Sequence, residues 1–172
     1  MGKWESIWQG LSGSELRQQI QAVLRFQFNA AVAEALTLKF DQLQCQFSKN
    51  TGKLKHLHQK EAVWINYKPQ TGTFSLSLDA ARAVKTASSS PQFRVVIQND
   101  VAPYIAAGKS VFAQHVIRVD PQLRPGDEVL VVTEEDELVA IGKMNLPACY
   151  LPRLQSGMAV KVRKGIEQKE KK

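Results

Sequence analysis

Residues 123–143 read LRPGDEVLVVTEEDELVAIGK, a stretch that leaves the backbone little choice. A Pro-Gly turn delivers the apolar run EVLVV, the polar turn TEEDE reverses the chain, and LVAIGK brings it back. Alternation of Val129 and Val131 with Leu138 and Ala140 across the reversal is the pattern of a β-hairpin. Further short apolar runs lie on both sides at close spacing: FRVVIQ and SVFAQHVIRVD before it, GMAVKVRKG after it. SVFAQHVIRVD reads as one continuous strand. Between the first two runs, NDVAPYIAAGK reads as a short helix with Asn99 or Asp100 as its cap. Gly108 stands where a left-handed residue would end that helix. Many short strands with one helix across an end predict a small closed or nearly closed β-barrel.

The first half follows a different rhythm. In ELRQQIQAVLRFQFNAAVAEAL the apolar positions Leu16, Ile20, Val23, Leu24, Phe28, Ala31, Val32 and Ala35 recur at spacings of three and four. That spacing marks one or two amphipathic helices, capped by Ser12 or Ser14 with Glu15 near the helix dipole. Phe26 and Phe28 are assigned to the helical core rather than to base stacking. Leu43, Cys45 and Phe47 then alternate with polar residues, SKNTGK turns the chain, and LKHLH begins the return strand. AVWINY and TFSLSL predict two more strands, and LDAARAV a closing helix. TASSSP (86–91), small and polar and ending at a proline, separates the two regions. The organisation expected is α+β: a small α+β domain over residues 1–86, a linker over 87–92, a β pseudo-barrel over 93–165 and a basic tail over 166–172.

The hairpin that identifies the barrel is acidic, with six Asp/Glu against two Lys/Arg, in a chain of net charge +7. Residues 1–86 hold eleven Lys/Arg and six Asp/Glu, and residues 87–172 hold twelve and ten. Positive charge is therefore segregated, as a chain with one polyanion-binding face requires. No apolar run reaches the roughly 18 residues a membrane span needs, so no membrane partner is expected. Cys45 and Cys149, far apart, read as free buried thiols of a reducing compartment such as the cytoplasm.

Motifs for chemistry are sparse. GKS at 108–110 lacks the glycine of a phosphate-binding loop, because the position five residues before Gly108 is Pro103. There is no nucleophile elbow and no HExxH helix. His56 and His58 share a strand face, and Cys45 would face them across the hairpin, but a third and fourth ligand are not evident. Neither a metal nor a cofactor is assigned, and the chain is read as no enzyme. A different reading would make Asp41, Asp79 or a histidine an acid or base.

The Gly-Lys-Ser-Val step after the short helix, the Asp before the turn (Asp120), Pro-Gly-Asp-Glu-Val, Leu-Val-Ala-Ile-Gly and the Ala-Val-Lys-Val-Arg finish together resemble the PUA domain, an RNA-binding pseudo-barrel, over about residues 93–165. LRFQFNAAVAEAL, SKNTGKLKHLH and FSLSLDAARAV resemble the domain that precedes PUA in archaeal tRNA-guanine (archaeosine) transglycosylases, over about residues 14–85. The resemblance implies RNA binding, most directly of tRNA. Such an enzyme also needs a zinc site and a (β/α)8 barrel of roughly 200 residues or more, and neither is found here. The expected role is a tRNA-docking subunit for a separately encoded, catalytic tRNA-modifying enzyme. The alternative is a ribosome- or translation-associated PUA protein binding rRNA.

Three segments are expected at the RNA. In the loop after the short helix, Gly108 permits close backbone approach, Lys109 brings charge, Ser110 and backbone amides meet phosphate, and Val111 and Phe112 complete the step. On the last strand the residues are Lys161, Arg163 and Lys164, with Lys161 and Arg163 sharing a face opposite Val160 and Val162. In the basic hairpin KNTGKLKHLHQK they are Lys53 and Lys55.

Overall fold

The computed structural model describes residues 10–38 and 40–168, which form two compact units dividing after Ala87. In the first unit, helices α1 (Gly13–Gln27) and α2 (Ala30–Thr37) precede strands β1 (Leu43–Phe47), β2 (Leu54–Gln59), β3 (Ala62–Lys68) and β4 (Thr73–Leu76), and helix α3 (Leu78–Ala87) follows. The strands form an antiparallel sheet in sequence order, β1-β2-β3-β4. Ile20, Leu24, Val32 and Leu36 from the helices and Leu57, Ile65, Phe74 and Leu76 from the sheet are buried together with Ala81 and Val84 of α3.

Capping decides where the first helical run breaks. Ser12 starts α1 with a full capping box: the Glu15 amide donates to the Ser12 hydroxyl and the Ser12 amide to the Glu15 carboxylate. The Ser12 hydroxyl, which donates to the Glu15 carboxylate at 2.7 Å, and then the Ser12 amide hold the Glu15 carboxyl below its ordinary pKa. The helix stops at Gln27. Extended Asn29 restarts it, its side chain accepting from the Val32 amide at 2.8 Å. Asn29→Ala is expected to lower the unfolding free energy by about 1 kcal/mol, measured by urea titration. The break also turns Phe26 outward. At 89% exposure it is not a core residue, while Phe28 is half-buried.

Gln27 closes one side of the sheet. Its side-chain amide donates to Phe74 O at 2.7 Å and accepts from Phe74 N at 2.7 Å, as a neighbouring strand would. At the other side, β1 pairs with β2 in the register Gln44↔His58, Cys45↔Leu57 and Gln46↔His56. Residues directly opposite share a face, so Cys45 lies with Leu57 and away from the histidines, contrary to the sequence expectation. Burial pushes its thiol pKa up.

The second unit contains β5 (Arg94–Ile97), α4 (Ala102–Ala106), β6 (Val111–Phe112), β7 (Val116–Val119), β8 (Glu128–Val132), β9 (Leu138–Met144) and β10 (Met158–Gly165). The strand order is β6-β10-β9-β8-β5-β7, antiparallel throughout except for β5 beside β8. This is a nearly closed pseudo-barrel. Its two edge strands, β6 and β7, are consecutive in the chain and joined by a single 3-10 turn, Ala113–His115. SVFAQHVIRVD is therefore not one strand: the turn carries the chain from the β10 edge to the β5 edge. Val95, Ile97, Ile105, Val111, Val129, Val131, Ala140, Met144 and Val160 fill the barrel.

The acidic turn has a structural task. Asp136, in the left-handed conformation at φ 63°, places its carboxylate 2.8 Å from the guanidinium of Arg94, which is 1% exposed. The same guanidinium donates to the carbonyls of Ser88 and Gln92 and to the Ser88 hydroxyl. Asp120 ties down the next corner, accepting from the amides of Phe93 and Gln122. Asn99 caps no helix. Its side chain accepts from the Glu134 amide and donates to the Glu135 carboxylate, tethering the turn at the entrance to α4.

Candidate nucleic-acid interface

Helix α4 is only five residues long, and its exit shapes the first candidate segment. The amides of Ala107, Gly108 and Lys109 donate back to Pro103, Ile105 and Tyr104, which closes the last turn. Gly108 follows at φ +100°, a conformation that side chains other than glycine's resist. Beyond it Lys109 is exposed, Ser110 half-buried and Phe112 48% exposed. Val111 is different: fully buried opposite Val160, it anchors the loop to the barrel core.

The second segment runs alongside. Strand β6 pairs with β10 through Phe112↔Met158 and Val111↔Val160, and the Ala113 amide donates to Gly157 O. At the far end, the Glu167 amide donates to Ala106 O, and a Cβ on Gly165 would lie 2.1 Å from that same oxygen. The loop and the last strand are thus held against each other at both ends. Lys161 projects from β10 into solvent.

Arg163 departs from the expected alternation. The β10–β9 register slips between Val162 and Lys164, so Arg163 is the extra residue of a bulge. Its guanidinium pairs with the Glu128 carboxylate, whose residue is 4% exposed. Much of its charge therefore serves the barrel itself. Lys164, the next residue, is half-buried.

Lys53 and Lys55 lie in the first unit. Lys53 closes the β1–β2 turn, its carbonyl accepting from the Ser48 amide at 2.8 Å, and Lys55 is exposed where the β1–β2 register shifts. On the same hairpin His56 is hydrogen-bonded to Asn66, and His58 to Gln46 at 3.0 Å, with the two rings edge to face. Among the described residues, no group of three His, Cys, Asp or Glu is placed to hold a metal. Residues 169–172 of the basic tail lie outside the described residues.

Sequence reasoning missed Tyr104. It is 66% exposed on α4, and its carbonyl holds the Lys109 amide, so an aromatic ring flanks the basic loop. The available signal was an aromatic residue next to Ile105 on a helix too short to bury both.

Comparison with known proteins adds to this geometry. Residues 93–166 match the PUA domain, and residues 18–91 match the patch-forming domain C2 of tRNA-guanine transglycosylase. The chain is 35% identical over 151 residues to a tRNA-guanine(15) transglycosylase of Methanobrevibacter smithii, covering 88% of this chain and 23% of that protein. With that of Thermococcus onnurineus it shares 36% identity over 154 residues, covering 90% and 26%. The chain therefore spans about a quarter of the length of these relatives. Among solved structures, a hypothetical protein of Pyrococcus horikoshii superposes with a TM-score of 0.66 at 22% identity, covering 92% of this chain and 94% of that one. A PUA domain protein of Thermoplasma acidophilum gives 0.61 at 14%, covering 90% and 91%. These two likenesses establish the fold. Among the described residues no helix is long and apolar enough to cross a membrane.

Proposed function

Because the chain is a PUA-domain protein resembling the C-terminal region of archaeal tRNA-guanine transglycosylases, we propose that it docks tRNA for a separately encoded tRNA-modifying catalytic subunit of the archaeosine pathway, in the cytoplasm. One observation supports this reading above the others: the loop of residues 106–113 and strand β10 lie side by side, with Lys109 and Lys161 exposed on one rigid barrel. Charges fixed on a scaffold meet a phosphate backbone without the ordering cost that flexible lysines incur. Gly108, Ser110 and Phe112 supply close approach, a hydroxyl and a ring edge beside them. Arg163 and Lys164 add positive field there, Arg163 at reduced strength because Glu128 holds it, and Lys53 and Lys55 make the hairpin of the first unit basic in its own right.

The test is a filter-binding titration of tRNA at several salt concentrations. Lys109→Glu and Lys161→Glu are each expected to weaken binding about tenfold and to flatten the salt dependence, since each lost phosphate contact removes roughly 0.7 to 0.9 from the slope of log K against log salt. Unchanged affinity in both variants removes this face from RNA binding. Co-purification with a transglycosylase chain supports the docking role. Co-sedimentation with ribosomes, and no preference for tRNA, replaces it with the rRNA reading.

A further inference from the structure

The register of β8, β9 and β10 places three charged residues in one row across the sheet: Glu128 opposite Lys143, and Lys143 opposite Lys161. Directly opposed side chains in an antiparallel pair have Cβ atoms roughly 4.5–5.5 Å apart, and like charges there destabilise the sheet. Glu128 would relieve the repulsion, but its carboxylate is already paired with Arg163. The row with Arg163 thus carries three cations and one anion. Among the described residues no carboxylate is ion-paired with Lys143 or Lys161. Strand β6 starts at Val111 opposite Val160, so Ser110 and Lys161 are the next residues along the two chains.

We propose that Lys143 and Lys161 form a two-ammonium cradle for the phosphodiester backbone of a bound RNA, with Lys143 a binding residue in its own right. Two lysine stems that start side by side on neighbouring strands, Lys143 half-buried and Lys161 exposed, bring like charge together, and an anion that bridges their ammonium groups relieves it; a phosphate oxygen pair has the size and charge for that. The cradle deepens the tRNA-docking reading and rests on it. It extends the contact surface from β10 onto β9.

The cradle makes two effects of one substitution run in opposite directions. Lys143→Gln removes the repulsion, so the unliganded protein should melt higher, by about 2 °C. The same substitution should weaken tRNA binding about fivefold and lower the salt slope by roughly one phosphate contact. Arg153→Gln, an equal loss of charge elsewhere on the barrel, serves as the control and should leave affinity within about twofold. Lys143→Gln that binds as the wild type does, while the wild type binds tRNA, overturns the cradle alone. Lower affinity together with lower melting also overturns it, because the loss is then structural. A wild-type chain that fails to bind tRNA overturns both the cradle and the docking reading.

Discussion

Gly165→Ala should lower the melting temperature of the second unit by about 15 °C, corresponding to about 3 kcal/mol of overpacking in a domain of this size. The reason is local. A methyl group at Gly165 would meet Ala106 O at 2.1 Å, Ala106 C at 2.7 Å and Ile105 O at 2.8 Å. All three atoms are backbone, so no rotamer change relieves the contact. Either α4 lifts from the end of β10 or the strand bends away. Gly108 gives the contrast: the three atoms nearest its added Cβ all belong to the Gln168 side chain, a flexible group that moves aside, and the difficulty there is its positive φ. Differential scanning calorimetry measures the shift. A change below about 3 °C would mean that α4 is only loosely docked, and the candidate RNA loop with it.

Arg94→Met is expected to cost about 3 kcal/mol in urea unfolding, at the lower end of the range for breaking a buried ion pair. Arg94 is 1% exposed and binds Asp136, Ser88 and Gln92 at once, so its loss strands the two carbonyls without their donor. The Asp136 side chain is 35% exposed and regains water, which moderates the loss. Methionine keeps the length of the stem and isolates the charge. Circular dichroism is the proper probe, because residues 88–172 contain no tryptophan. Asp136→Asn should cost less, about 1 kcal/mol, since the carbonyl bonds of Arg94 survive.

These two residues also show what the sequence could reveal. The acidic turn was legible as a turn, and the barrel was legible from the runs around it, because period-two alternation and Pro-Gly chemistry are local signals. That Asp136 reaches Arg94, forty-two positions away in the chain, depends on β5 and β8 lying parallel, which no local pattern encodes. Asn99 has a capper's composition and position, but a turn brought in by the fold offered its side chain better partners than the short helix did. SVFAQHVIRVD contains no glycine or proline to mark a break, and only closure of the sheet demands the one at Ala113–His115. Arg163 looked equivalent to Lys161 until the bulge displaced it. Phe26 is misassigned by apolarity alone: two positions beyond Leu24 it lies on the far side of the helix and is 89% exposed. Among the candidate contacts, Lys109 and Lys161 were legible from composition, while Lys143 acquires meaning only once register sets it opposite Lys161.

Gln27 carries a consequence for how the first unit could assemble with anything else. A strand edge is a template for further strands, and here the β4 edge has its template occupied at Phe74 by a side chain of the same molecule. Helix and sheet are thereby joined through a single amide that imitates main chain. Growth of this sheet is biased to one direction: the side that ends in LQCQF is, among the described residues, the side where β1 has a strand neighbour on one flank only.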